Sequence, residues 1–318
     1  MGIILPGIFL VVSLAFLVKS ADVFTNASER IGLYFGLSSF IVGATIVSIG
    51  SSLPELTTSL ISVLSGGTEQ LSFTIDNVIG SNIANILLVG SVATIVVGTL
   101  RVKEKLISVD LPFFFVSTAL FLLFVMDRMF TWQEGVISLI LLVIFVIYTI
   151  NNEASKEADP EDAQEKVKKI GVKECALVVG GAIGVYFSAK YTISNVLVLA
   201  TMIPGVDSSL ITMLVVALGT SLPEMVVSVR AAIKGKHAVA LGNVFGSNTF
   251  NSLAVTGIPA FFGTLKVSDN AYYLGIPFLI VATLAFIFIT HDDKIPKWEG
   301  YALIIIYLAF MGKLLGLV

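Results

Sequence analysis

The sequence predicts an all-α integral membrane protein of ten transmembrane helices, built as two inverted-topology repeats of five. Three observations carry this expectation. The first is composition: of 318 residues, 56% are hydrophobic and only 13% charged, and the mean hydropathy is +0.97, more apolar surface than one soluble core can hold. The second is that apolar runs long enough to cross about 30 Å of hydrocarbon recur ten times along the chain. The third is a duplication. Gly50-Ser51-Ser52-Leu53-Pro54-Glu55 returns as Gly219-Thr220-Ser221-Leu222-Pro223-Glu224, and Asn77-Val78-Ile79-Gly80-Ser81-Asn82 with Asn85 returns as Asn243-Val244-Phe245-Gly246-Ser247-Asn248 with Asn251.

In chain order, the runs at 3–24, 40–64, 73–97, 107–126 and 135–150 form the first repeat, residues 1–150, and those at 176–200, 210–233, 239–262, 273–290 and 298–316 form the second, residues 173–318. They are too long and too uniformly apolar for barrel strands of roughly 9–11 alternating residues. The first run is not read as a cleaved signal: no positive charge precedes it and Lys19 follows it, the reverse of a secretory pattern. Residues 151–172, rich in Glu, Asp and Lys, read as a flexible cytoplasmic linker. A single cysteine, Cys175, rules out an intrachain disulfide and any zinc or redox pair of cysteines.

Glu224 lies 169 positions after Glu55, Asn251 lies 166 after Asn85, and Glu299 lies 165 after Glu134. The steady offset points to duplication over nearly the whole length. Five crossings per half is an odd number, so the second half enters the membrane from the opposite side, which favours a shared site near the midplane. With both termini outside, fourteen Lys and Arg residues fall in inner loops and three, Arg128, Lys266 and Lys313, fall outside, the asymmetry expected of a multi-pass plasma-membrane protein.

The repeated words suit a hard cation. Pro54 and Pro223 lack an amide hydrogen and so free the carbonyls of Gly50 and Gly219, and broken helices at membrane depth line a cavity or hold an ion. Ser51 and Ser52 share a helical face with Glu55, as Thr220 and Ser221 do with Glu224. Asn77, Ser81 and Asn85 recur every four residues, as do Asn243, Ser247 and Asn251, each a polar stripe on one side of a helix. Carboxylate, hydroxyl, amide and carbonyl oxygens without sulfur or imidazole favour Ca²⁺ and Na⁺ over zinc or copper. An intramembrane charge costs about 2.5–3.5 kcal/mol on insertion scales, so Glu55 and Glu224 are read as functional partners. Asn77, Asn82, Asn243 and Asn248 serve equally well as hydrogen-bonding residues between packed helices.

These words resemble the two alpha repeats of the sodium/calcium exchangers, prokaryotic type, in the cation/calcium antiporter superfamily, and the resemblance covers all ten expected helices. It implies that Glu55 and Glu224 bind Ca²⁺ directly, with Ser51, Thr220 and the backbone carbonyls of Ser48 and Ala217. It also implies that Ser52, Ser221, Ser81, Ser247, Asn85 and Asn251 complete adjoining Na⁺ sites. Calcium/proton relatives carry a G-N-x-x-E word where this chain has Leu-Pro-Glu, which favours sodium as the coupling ion. Potassium-coupled relatives carry an aspartate where this chain has Asn251, and Asp76 stands where a glycine usually precedes Asn77. The expected function is electrogenic Na⁺/Ca²⁺ antiport by alternating access. Calcium/proton or potassium-coupled antiport is the alternative, with a cation channel or an intramembrane serine hydrolase behind it. The hydrolase lacks a base, since His237 and His291 fall in inner loops. Neither a cofactor, a nucleic acid nor a protein partner is expected; the substrates are the two cations and the surroundings are lipid. The helices at the head of each half are expected to slide, and Asp22 and Lys190 occupy matching places on them, where a pairing is conceivable.

Overall fold

Helices close their backbone hydrogen bonds within one segment, which is what an apolar chain in hydrocarbon requires. The computed structural model describes residues 4–65, 68–101, 110–153, 170–201, 219, 221–292 and 294–317. Within them, α1 (Ile4–Tyr34) is followed by α2 (Ser39–Val42), which runs through a π turn (Gly43–Val47) into α3 (Ser48–Ser51) and then α4 (Leu53–Ser65). Next, α5 (Thr68–Ala84) passes through a second π turn (Asn85–Val89) into α6 (Gly90–Val97) and the short strand β1 (Thr99–Arg101). Helix α7 (Asp110–Phe124), strand β2 (Met129–Phe130) and α8 (Trp132–Glu153) complete this part of the chain.

The remainder repeats the pattern. Helix α9 (Val172–Thr201) is the long counterpart of α1, and α10 (Leu222–Ile233) that of α4. Helix α11 (His237–Phe250) enters a π turn (Asn251–Val255), and β3 (Leu265–Lys266) follows. A π turn (Ala271–Gly275) leads into α12 (Ile276–Ile289), then β4 (Lys294–Pro296) and α13 (Lys297–Leu314). Residues 210–218 of the seventh expected run, and most of the linker, lie outside the described residues.

Among the described residues five helices are long and apolar enough to cross a membrane, and six if the pair Ser39–Ser51 and Leu53–Ser65, bent by 41°, is one span. Apart from the seventh, which is described only in part, the other expected runs are helical but do not reach that mark for physical reasons. Leu111–Asp127 is short, α11 is buried along nearly its whole length and carries Asn243, Ser247 and Asn248, and α13 carries Lys297, Glu299 and Lys313.

Two short antiparallel ladders tie distant parts of the chain together. In one Leu100 faces Ile295, and in the other Phe130 faces Leu265. Adding the 165-residue offset that separates Glu134 from Glu299 turns Leu100 into Leu265 and Phe130 into Ile295, so each ladder is the image of the other with the halves exchanged.

Helices α1 and α9 lie side by side and antiparallel: Thr192 Oγ1 donates to Ser13 Oγ at 3.0 Å, while Gly181 sits against the backbone of Phe24, where a Cβ would stand 2.8 Å from the Phe24 Cα. This crossing sets Asp22 beside residues near 181–184 of α9 and leaves Lys190 exposed. The conceivable pairing of Asp22 with Lys190 is therefore not formed. Asp22 instead takes Arg230 at 2.7 Å and Lys234 at 2.9 Å, and Lys236 bonds Glu29 and Asn26 nearby.

The inner layer is α11 against the α2–α3 segment and α5–α6. Gly242 and Gly246 allow backbone contact, since a Cβ at either would collide with the carbonyls of Phe40 and Ala44 respectively. Beside them Phe245 packs with Phe114 and Phe286 at ring centroid distances of 5.0 Å. This layer fixes the place of the repeated polar words.

Candidate cation site

The proline words break their helices in the same way. Ser52, between α3 and α4, has φ −90° and ψ 7°, and Ser221, before α10, has φ −89° and ψ 7°. Each proline removes one helical donor, and the chain steps over the gap: Ser52 N donates to Ser48 O, and Met225 N to Ser221 O, both at 3.0 Å. The step turns Glu55 and Glu224 inward at the first turn of a new helix. Both are only 1% exposed.

The two acids face one interior. Ser52 Oγ donates to Glu224 Oε1 at 3.0 Å, so a hydroxyl one turn before Glu55 reaches the other carboxylate. The repeated words also leave oxygens unpaired. Glu55 Oε1 and Oε2, Glu224 Oε2, Asn85 Oδ1, Asn251 Oδ1, Ser221 Oγ and Ser247 Oγ are all buried and lack a hydrogen-bond partner. Buried polar atoms are ordinarily satisfied, and among the described residues no ion pair includes either glutamate. Buried, unpartnered oxygens on the same repeated words as two carboxyl groups are what a hard cation needs and what an empty apolar core would not tolerate.

Glu55, Glu224, Ser51, Ser52, Ser221, Asn85, Asn251 and Ser247 are all buried, and side-chain hydrogen bonds tie Ser52 to Glu224 and Ser51 to Asn243 across the two halves. Ser81 is buried on the same stripe as Asn85. The Ser48 carbonyl already accepts from Ser52 N and, at 3.3 Å, from Ser51 Oγ. Thr220 and Ala217 lie outside the described residues. Asn85 and Asn251 each open a π turn, a local widening that recurs at functional sites and that no residue pattern in the sequence announced.

Three of the remaining asparagines act as struts, whereas Asn248 Nδ2 donates to Val244 O of its own helix at 2.8 Å and its buried Oδ1 lacks a partner. Asn77 Nδ2 donates to Ser59 Oγ at 3.5 Å and Asn243 Nδ2 to Ser228 Oγ at 2.9 Å, joining the helix of each glutamate to its asparagine stripe. Asn82 Nδ2 donates to Ser252 Oγ at 2.9 Å and accepts from Asn251 Nδ2 at 3.2 Å, across the two halves. Ser51 Oγ crosses as well, to Asn243 Oδ1 at 3.1 Å. The sequence reading missed Ser59, Ser228 and Ser252. The first two carried a signal, since each stands four residues after its glutamate in both copies.

The family described as sodium/calcium exchanger protein matches residues 5–151 and 173–315. The chain belongs to the sodium/calcium exchanger family. It is 28% identical to the sodium/calcium exchanger MaX1 of Methanosarcina acetivorans, over 96% of this chain and 97% of that one. It is 31% identical to an uncharacterized membrane protein of Methanocaldococcus jannaschii, over 97% of each. Its fold follows the solved structure of the sodium-calcium exchanger NCX_Mj soaked with zero Na⁺ and Ca²⁺, with a TM-score of 0.82, 28% identity and coverage of 98% of this chain and 99% of that one. Membership in the sodium/calcium exchanger family makes this a multi-pass membrane transporter and not an enzyme, which sets aside the serine hydrolase.

Proposed function

We propose that this protein exchanges Na⁺ for Ca²⁺ across the plasma membrane by alternating access, through a site of Glu55, Glu224, Ser51, Thr220, Ser52, Ser221, Asn85, Asn251, Ser81 and Ser247 with the carbonyls of Ser48 and Ala217. The observation that carries the proposal is the pair of fully buried glutamates, linked across the halves through Ser52, whose own oxygens and those of Asn85, Asn251, Ser221 and Ser247 lack a partner. The site draws on both halves of a ten-helix inverted repeat, residues 1–150 and 173–318 about a cytoplasmic linker at 151–172, with both termini outside. The exchanged strand ladders, the equal backbone angles at Ser52 and Ser221 and the matching Asn–Ser struts support that symmetry.

Two carboxylates give the site a charge of −2. One Ca²⁺ neutralises it and lets the loaded carrier move, whereas the empty carrier holds uncompensated charge in low dielectric and stays blocked. The moving part is the α1–α9 pair, which packs on itself through Gly181 and Gly184. More than two Na⁺ per Ca²⁺ makes each cycle electrogenic, with about 2.3 kcal/mol per charge per 100 mV available from voltage.

The test is ⁴⁵Ca²⁺ uptake into proteoliposomes loaded with Na⁺, with K⁺-loaded and proton-gradient controls, at clamped potentials. Uptake that requires internal Na⁺ and rises with inside-positive potential is expected. Uptake driven by K⁺ or by protons replaces the coupling ion, and voltage independence removes electrogenicity.

A further inference from the structure

The two asparagine stripes end differently, and the difference sits at one residue. In the second half Asn251 and Ser252 are neighbours in sequence, and consecutive side chains leave a regular helix in different directions. The π turn that opens at Asn251 is where both reach a single partner, Asn82 of α5. Subtracting the 166-residue offset that separates Asn85 from Asn251 pairs Asn248 with Asn82 and Ser252 with Ile86. An isoleucine holds no amide. On that side Asn248 turns its Nδ2 back to Val244 O, and its Oδ1 takes no donor, so Asn85 is not held by Asn248 as Asn251 is by Asn82.

Three bonds fix the direction of the Asn251 amide. Asn82 Nδ2 lies 2.9 Å from Ser252 Oγ and 3.5 Å from Asn248 O. A backbone carbonyl only accepts, so the nitrogen of the Asn82 amide belongs on that side and its oxygen on the other. That oxygen accepts from Asn251 Nδ2 at 3.2 Å. With its nitrogen engaged by Asn82, Asn251 has only Oδ1 to offer elsewhere, and Oδ1 is buried with no partner in the protein. Turning the Asn251 amide over would set oxygen against oxygen at Asn82 and aim a donor where a cation needs an acceptor. Asn82, Asn251 and Ser252 are fully buried, where a low dielectric strengthens such a chain.

We propose that Asn82 and Ser252 are positioning residues for Na⁺: they hold the Asn251 amide with its oxygen free for the ion, in one half of the site only. The inference rests on the exchange reading, in which Asn251 completes a Na⁺ site.

The experiment is thermal unfolding of the full-length protein in detergent over a Na⁺ series, at constant ionic strength made up with choline. The rise of the midpoint with Na⁺ gives an apparent affinity and needs no transport, so a failure of exchange leaves it readable. Asn82→Leu should weaken Na⁺ binding by roughly fivefold or more, the equivalent of about one hydrogen bond, and Asn251→Ala by at least as much. In the Asn251→Ala background Asn82→Leu should add nothing further, because no amide remains to orient. A residue that only packs would add its own loss in both backgrounds. Wild-type affinity in Asn82→Leu, or additive losses in the double variant, overturns the proposal and leaves Asn251 in the site. Wild-type affinity in Asn251→Ala, or an unsubstituted protein whose midpoint ignores Na⁺, overturns it together with the reading of Asn251 as a ligand. If Asn82→Leu does not fold, Ser252→Ala, which removes the anchor of Asn82 Nδ2, carries the same cycle, and wild-type affinity there overturns the proposal equally.

Discussion

Ser52 donates its hydroxyl hydrogen to Glu224 across the interface between the two copies of the repeated word, at 3.0 Å. The bond makes each copy a part of the other's site. Ser52→Ala removes a hydroxyl proposed as a ligand of the transported cation together with its bond to the buried Glu224, and interactions of a polar group with a charge are worth about 1.5–3 kcal/mol. The expected outcome is an apparent affinity for the transported cation weaker by roughly tenfold or more, with Ser52→Thr close to wild type, read from the concentration dependence of ⁴⁵Ca²⁺ uptake.

Backbone contact at Gly246 supports the site from beneath. A Cβ at Gly246 meets the Ala44 carbonyl and the Ser48 hydroxyl, with the Ala44 carbonyl carbon 2.6 Å away, so neither helix can yield without moving the glutamate words. Overpacking of this sort costs about 1–3 kcal/mol. Thermal unfolding in detergent should show a lower midpoint for Gly246→Ala and no change for Gly7→Ala, which has open space around it.

Much of this was legible in the residues. The proline and glutamate words named the two helix breaks and the two acids, because an intramembrane carboxylate is too costly to lack a purpose. The members of the Asn77–Ser81–Asn85 and Asn243–Ser247–Asn251 stripes divide: Asn85 and Asn251 keep buried, unpartnered oxygens, while Asn77 and Asn243 brace Ser59 and Ser228. Spacing alone does not separate a ligand from a strut, since both point the same way from a helix. The partner of Asp22 was equally hidden. Matching positions in two repeats suggested Lys190, but an antiparallel crossing of α1 and α9 sends equivalent residues to different places along the pair.

Asp22 should couple to Arg230 and not to Lys190. The side chains of Asp22 and Arg230 are 23% and 30% exposed, so solvent screens the pair and the coupling is modest, about 0.5–1 kcal/mol. A double-mutant cycle on thermal stability with Asp22→Asn and Arg230→Gln should return that coupling. The cycle with Asp22→Asn and Lys190→Gln should be additive, and coupling there would mean that the helices sit in another register.

His237 gives the fold a pH dependence at the start of α11. Arg101 N donates to its Nδ1 at 3.0 Å, which requires the unprotonated nitrogen. Burial, and then the charge of Arg101, hold the imidazole below its ordinary value of 6.5. A group whose folded pKa is depressed contributes fully above the unfolded value and loses that contribution as pH falls toward the folded one. Thermal stability should therefore decline as pH drops below about 6.5, and His237→Asn, which keeps an acceptor near Nδ1, should show a flatter profile over that window.

Glu55 and Glu224 carry the central claim, and both are 1% exposed with oxygens that find no partner in the protein. Glutamine keeps the shape and removes the charge. The deciding measurement is Na⁺-dependent ⁴⁵Ca²⁺ uptake by proteoliposomes holding wild type, Glu55→Gln or Glu224→Gln at matched protein content, with folding checked by thermal unfolding. The account predicts that either single variant folds and loses at least 90% of the exchange, on the order of 1.4 kcal/mol or more per tenfold. Exchange retained near the wild-type rate in either variant would contradict it and move the cation site away from the paired glutamates.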